Sequence, residues 1–367
     1  MKSLVRRLLV LALLSPAAAT AAPPPDPATA PSELTEQAID GADFAAWRER
    51  VDARAQAKAA QEATPKPAKR RKDKAQEPAP KIATDDDPDP FLIRVQILLD
   101  RAHASPGAID GRDGDNLKKA VRAFRELRKM PPGDALDAEV WSALSADAAK
   151  ATKIYAITPE DIDGRYLDKV PKDYAKLAKL KWIGFTGPAE MLAERFHMSE
   201  ALLRRLNPGA DLRRAGQTLL VAETGGEPEA RVARIEIDKA GGELRAYAAD
   251  GTLVLVDPAT VGSDDTPSPS GRMKVNGSFP NPHYKYDPKK NFQQGRNRRK
   301  LDLPPGPNGP VGSMWIDLSK PTYGIHGTPD PDKISKSGSH GCVRLTNWDA
   351  AALGRLVDKG KTEVEFR

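Results

Sequence analysis

From Arg231 to Arg367 the chain is written in short apolar runs broken by turn residues, with a single late helical stretch. Val232, Ile235 and Ile237 open a strand, Leu244–Ala248 a second and Leu253–Val256 a third. Asp250-Gly251 between the last two is a hairpin signal, because these residues tolerate the positive φ that a tight turn needs. Met273–Val275, Met314–Leu318, Tyr323–His326 and Thr362–Phe366 read as further strands. Thr346-Asn347-Trp348-Asp349 starts a helix that runs to about Val357, with Thr346 and Asp349 placed as a variant capping box. Regular short strands with so little helix predict a mainly β domain, a sandwich or a partly closed barrel. In such a scaffold the chemistry sits where strands meet loops.

The segment Thr322–Thr346 carries that chemistry. It holds the only cysteine of the chain, Cys342, and two of the five histidines, His326 and His340. A lone cysteine forms no intramolecular disulfide, so it is a reactive thiol, an intermolecular link or an inert buried residue. The flanking Ser339, His340, Gly341 and Arg344 argue against burial in hydrocarbon. A thiol titrates near 8.5, and a neighbouring imidazole shifts it toward the thiolate that attacks carbonyls. Gly341 lets a carbonyl approach the backbone, where the Cys342 amide and a neighbour would hold an oxyanion. His326 and His340 are both candidates for the base, since on a strand His340, two residues from Cys342, would share its face. A zinc site from His283, His326, His340 and Cys342 has suitable ligand types, but its spacing fits no recurrent zinc pattern.

His326-Gly327, a spacer and then Ser339-His340-Gly341-Cys342-Val343-Arg344 resemble the L,D-transpeptidase catalytic domain. Thr266-Pro267-Ser268-Pro269-Ser270-Gly271 is similar to the early Thr-Pro-x-Gly stretch of that family, and Pro304–Gly312 to its Pro/Gly-rich approach to the histidine strand. The resemblance covers about Arg231 to Arg367. It implies a β-sandwich-like fold with the site at one end, and a peptidoglycan transpeptidase that needs no cofactor. Cys342 would attack the bond between the L-centre of a diamino acid and D-alanine in a tetrapeptide stem. His326 would move the proton, oriented by the carbonyl of Gly327. Arg344, Ser339, Gly341, Tyr323 and His283 would bind substrate or shape the site, with His340 beside the thiol. The thioester would pass to an amine of a second stem or of a wall-linked protein. Two alternatives are an L,D-carboxypeptidase or amidase, in which water takes the acyl group, and a non-catalytic peptidoglycan-binding protein. The intact set of His326, Cys342 and Arg344 argues against the last.

The rest of the chain reads as export and attachment. Residues 1–22 resemble a secretory signal: Lys2, Arg6 and Arg7, then apolar Leu8–Leu14, then small Ala17–Ala22. The apolar run is far shorter than the roughly 20 residues of a membrane span, so membrane contact is expected only during export to a periplasm or cell wall. Residues 23–84 form a Pro/Ala/Lys-rich linker, with a helix at Ser32–Glu62 and a disordered spacer at Thr64–Lys81. Residues 85–150 are similar to a three-helix peptidoglycan-binding domain. There the turn Ile109-Asp110-Gly111 precedes a helix containing Ala120-Val121 and Phe124, with Asp115 and Asp137 as expected N-caps. Residues 151–226 resemble the later part of a LysM module: two short helices in Pro188–Leu206, a turn at Asn207-Pro208-Gly209 and a strand at Gly216–Val221. Lys181–Phe185 is the candidate for its opening strand, and His197 is read as a helix-end residue. Residues 229–367 form the catalytic domain. Within it, Lys289–Lys300 is a basic insert, either a solvated loop or a lid whose arginines pair with stem carboxylates. The net charge of +6 is modest, and no basic stripe interleaved with aromatics is present, which excludes a nucleic-acid partner. Stem peptides and glycan strands are the expected partners.

Overall fold

The computed structural model describes residues 34–63, 87–262, 268–336, 338 and 341–367. The signal expected at 1–22 and the spacer expected at 64–81 lie outside these residues. The helix expected at 32–62 forms as two, α1 (Glu36–Asp40) and α2 (Phe44–Ala63). Its few apolar residues are divided between two cores. Ile39 packs with Ile93 and Ile97, and Trp47 stacks on Phe91 with ring centroids 5.0 Å apart. The next three helices are α3 (Pro90–Arg101), α4 (Asp115–Leu127) and α5 (Ala138–Leu144). Asp89 and Asp137 cap α3 and α5 by accepting from the N–H of Phe91 and Val140. The N-cap of α4 is Gly114, one residue before the expected Asp115. Asp115 instead occupies the first turn, where a carboxylate opposes the positive end of the helix dipole.

The following stretch runs β1 (Thr152–Ala156), α6 (Pro159–Ile162), α7 (Tyr174–Leu177), α8 (Pro188–Arg195), α9 (Glu200–Leu206) and β2 (Thr218–Ala222). The two strands pair antiparallel, from Thr152 opposite Ala222 to Ala156 opposite Thr218. The opening strand is therefore Thr152–Ala156, not Lys181–Phe185. β1 lacks the alternation of a half-buried strand, because Ile154 points to solvent. Ile183 is buried in irregular chain, and its N–H bonds to the Pro305 carbonyl at 2.8 Å.

The remaining strands are β3 (Arg234–Asp238), β4 (Glu243–Tyr247), β5 (Leu253–Pro258), β6 (Thr260–Val261), β7 (Gly271–Pro280), β8 (Tyr284–Tyr286), β9 (Leu301–Leu303), β10 (Met314–Leu318), β11 (Gly324–His326), β12 (Val343–Arg344) and β13 (Glu363–Phe366), with α10 (Asn347–Leu356) before the last. Nine of them form one sheet in the order β5-β4-β3-β13-β7-β10-β11-β12-β6. The ten-residue β7 joins the two halves, pairing with β13 along its first part and with β10 along its second. The two ends of the order, β5 and β6, are separated in sequence only by Ala259, so the sheet curls until its edges nearly meet. The expected mainly β domain is present in this curled form. Its interior holds Ile235, Ile237, Leu244, Val275, Ile316, Ile325 and Val364, closed by Ala350 and Leu353 of α10. Thr346 caps α10 by accepting from the Asp349 N–H at 3.1 Å.

These parts are joined through the backbone. Ala104 bridges Val256 of β5, and Ile109 bridges Met198. Val256 also shares a core with Leu99, Ala120 and Phe124. The helical segments and the β domain therefore share a backbone bridge and a core at β5.

Candidate active site

The parallel pair β11–β12 sets the site. Ile325 lies opposite Val343, and His326 opposite Arg344. Ile325 and Val343 point into the core, so His326 and Arg344 project from the other face. One step back along the register, on that same outer face, Cys342 lies beside Gly324. A cleft of about 400 Å³ opens there, lined by Cys342, His326, Arg344, Tyr323, Trp315, Tyr284, Phe292 and Tyr174.

His326 is buried, and its Nδ1 donates to the Gly327 carbonyl at 2.7 Å. That bond fixes the tautomer and leaves Nε2 with its lone pair. The Trp315 ring stacks on the imidazole, with centroids 5.6 Å apart and planes 21° apart. Burial drives the His326 pKa down to about 4; the Gly327 carbonyl opposes this and the Arg344 charge reinforces it. Gly327 has no room for a side chain, since a Cβ would lie 2.2 Å from Asn347 Oδ1.

Cys342 is partly exposed, and its Sγ lies 3.6 Å from the Thr322 carbonyl. Burial raises the thiol above its ordinary value, against the Gly324 N–H and the Arg344 charge, which both favour thiolate. Burial thus opposes the expected shift toward thiolate. Desolvation outweighs both stabilising groups, and an imidazole that holds its proton so weakly supplies no resting cation. The resting pair is a neutral thiol and a neutral imidazole. Gly341, just before the thiol, has φ of 103°, a conformation that requires glycine. Its carbonyl accepts from Ser268 Oγ at 2.8 Å, so the family-like stretch around Ser268 buttresses the cysteine turn. Arg344 Nη1 donates to the Gly338 carbonyl at 3.3 Å, and its head faces Tyr174, Tyr284 and Asp330.

The structure thus gathers Cys342, His326, Gly327, Gly341, Arg344 and Tyr323. Ser339 and His340 lie outside the described residues. His283 is the exception: its Nδ1 pairs with Asp302 at 3.0 Å on the exposed side of the β8–β9 hairpin, and it does not line the cleft. Tyr284, the first residue of β8, lines the cleft instead. One member of the zinc quartet, His340, lies outside the described residues, and among the described residues no group of three or more His, Cys, Asp or Glu is placed to hold a metal. The basic insert does border the cleft, through Lys290, Asn291 and Phe292 rather than through its arginines. Its anchor is aromatic: Phe292 packs edge-on against Tyr174 with centroids 6.1 Å apart, while Asn297 donates to Asp173 at 2.8 Å. Burial raises Tyr174 to about 12. Sequence reasoning missed Tyr174 and Trp315. Tyr174 comes from a segment far upstream with no motif, whereas Trp315 alternates with the core residues of β10 and was open to a face argument.

The histidine strand is braced from outside the β domain. Asn347 Nδ2 donates to both Glu194 carboxylate oxygens at 2.9 and 3.1 Å, and its Oδ1 accepts from the Ser313 N–H at 3.0 Å. Burial lifts Glu194 to about 8 despite the Asn347 bond. A raised folded-state pKa gives stability that is complete below about 4.5 and is lost as pH rises through 8. Glu194→Gln is therefore expected to stabilise the chain at pH 9 relative to pH 5, by on the order of 2 kcal/mol, measured as the difference in denaturant midpoint between variant and parent. An equal effect at both pH values would contradict the assignment.

A family model for the L,D-transpeptidase catalytic domain matches residues 232–365. A Bacillus licheniformis protein bearing the name L,D-transpeptidase YkuD is 31% identical over 173 residues, which is 47% of this chain and 88% of that protein. The Escherichia coli K12 protein bearing the name L,D-transpeptidase YbiS is 30% identical over 189 residues, 50% of this chain and 61% of that protein. Among solved structures, an L,D-transpeptidase from Mycobacterium smegmatis is 16% identical, covering 42% of this chain and 74% of that one, with a TM-score of 0.30. The residues matched by the family model include the curled sheet and both His326 and Cys342 of the cleft. The chain belongs to the L,D-transpeptidase family.

Proposed function

We propose that this chain is a peptidoglycan L,D-transpeptidase in which Cys342 is the nucleophile and His326 the proton carrier. The observation that carries this reading is the shared cleft of a partly exposed thiol and a histidine whose Nδ1 is held by the Gly327 carbonyl. That carbonyl takes the orienting role that a carboxylate has in other triads. Cys342 Sγ attacks the carbonyl that joins the L-centre of the diamino acid to D-alanine. The thiol proton passes to His326 Nε2 as the S–C bond forms, and backbone amides near Cys342 hold the oxyanion. The C–N bond then breaks, and His326 returns the proton to the departing amine of D-alanine. An acceptor amine attacks the thioester and gives a proton to His326, and the sulfur leaves to be reprotonated. A neutral resting pair suits this sequence, because the charge pair appears only with substrate bound.

Arg344, at the cleft wall, is proposed to pair with a substrate carboxylate. Acyl transfer to an amine, rather than to water, is the preferred outcome, as the name transpeptidase of its relatives implies. Export to the periplasm or cell wall, and glycan affinity of the helical and LysM-like parts, belong to the same proposal. The test is to incubate the chain with tetrapeptide-stem muropeptides and identify the products by mass. Cross-linked dimers with free D-alanine are expected. Tripeptides alone would place the chain with the hydrolases, and unchanged substrate would remove the reading.

A further inference from the structure

The outer face of the sheet carries more than the cleft. Phe279 of β7 lies opposite Trp315 of β10, and Trp315 lies opposite His326 of β11. Met314, Ile316 and Leu318 fill the other face, so these three rings form one row on the side of the site. The row begins at His326 and Trp315, which line the cleft, and ends at Phe279, which is 50% exposed. Two glycines let the rings lie flat. A Cβ on Gly277 would fall 2.9 Å from the Phe279 ring, and one on Gly324 would fall 2.4 Å from the Trp315 ring. Both glycines pair with Asp317, which stands between them. Asp317 Oδ1 accepts from Trp315 Nε1 at 3.3 Å, and Oδ2 from Asn276 Nδ2 at 2.9 Å.

We propose that this shelf of Phe279 and Trp315, edged by Asp317 and Asn276, is a saccharide subsite that seats the sugar bearing the stem peptide while the stem lies in the cleft. The inference rests on the transpeptidase reading and specifies which part of the substrate the chain holds outside the reacting bond. A pyranose has one apolar face of C–H groups and a rim of hydroxyls. The first matches a flat aromatic surface, and the second matches a carboxylate and an amide set beside it. The span is compatible. Phe279 stands three strands from Cys342, or about 14 Å at the usual strand spacing. The three residues between the sugar and the attacked carbonyl reach about 10 Å when extended, and the sugar ring itself spans the rest.

The test uses the full chain, its Phe279→Ala and Phe279→Tyr variants, and two probes. The first is an N-acetylglucosamine tetramer without peptide, titrated calorimetrically. Any sugar bound elsewhere on the chain is common to parent and variants, so their difference isolates the shelf. Phe279→Ala is expected to weaken binding about ten-fold, and Phe279→Tyr to restore it. The second probe compares a glycan-linked tetrapeptide with the free tetrapeptide. The ratio of their kcat/KM values is expected to fall about ten-fold in Phe279→Ala, through KM. Unaltered sugar binding, an equal fall for both substrates, or loss of self-association as the only consequence would overturn the proposal. The last would make the shelf a contact between copies. If the parent turns over neither tetrapeptide, the transpeptidase reading falls, and the sugar titration still decides whether the shelf binds saccharide.

Discussion

Cys342→Ala is expected to abolish release of D-alanine from a tetrapeptide stem, by a factor on the order of 10⁴ or more, with the fold unaltered. The loss is large because both chemical steps pass through the sulfur, and no other thiol exists in the chain. The fold should survive because Cys342 is only partly buried and is absent from the core of the curled sheet. The measurement is D-alanine release by the parent and variant at equal concentration, with denaturant midpoints as the control. Retained release in a folded Cys342→Ala chain would remove the sulfur from the mechanism.

His326→Gln is expected to lower kcat/KM by roughly 10²- to 10⁴-fold, the usual worth of a positioned acid–base group. Its pH dependence is more telling. The imidazole acts only when neutral, and burial holds its pKa near 4 in the free enzyme. The acid limb of kcat/KM should therefore fall near pH 4, well below the 6.5 of an ordinary histidine. An acid limb near 6.5 would mean that His326 is solvated rather than buried in solution. The same shift has a consequence for stability. A depressed folded-state pKa gives stability that is present above 6.5 and is lost as pH falls through 4. The His326→Gln chain should lack that acid-induced loss. Gly327 belongs to the same device: a side chain there would strike Asn347 and move the carbonyl that holds the ring.

The strands of the β domain were legible because β3, β4 and β10 alternate core and solvent residues, and because Asp250-Gly251 marks its hairpin. The site was legible as far as it is local. His326 ends one strand and Cys342 immediately precedes its parallel neighbour, and the residues flanking them carry the family signature. What sequence could not supply was long-range. Tyr174 reaches the cleft from α7, and Glu194 braces Asn347 from α8, both through packing that no local pattern encodes. β1 escaped notice because Ile154 faces outward, and a strand without alternation looks like loop. His283 was expected at the site, yet it stands just before β8 and pairs with Asp302 on the exposed side of the hairpin. The thiol's state was misjudged for a different reason. Neighbouring histidine suggests activation, but burial acts on both groups and drives them toward neutrality.

The most direct measurement is the intact mass of the full chain, quenched in acid within seconds of mixing with a tetrapeptide stem. The account predicts a covalent adduct equal to the stem acyl group less D-alanine, located at Cys342 by peptide mapping and absent from Cys342→Ala. Turnover without any such adduct, or an adduct that persists in Cys342→Ala, would contradict it.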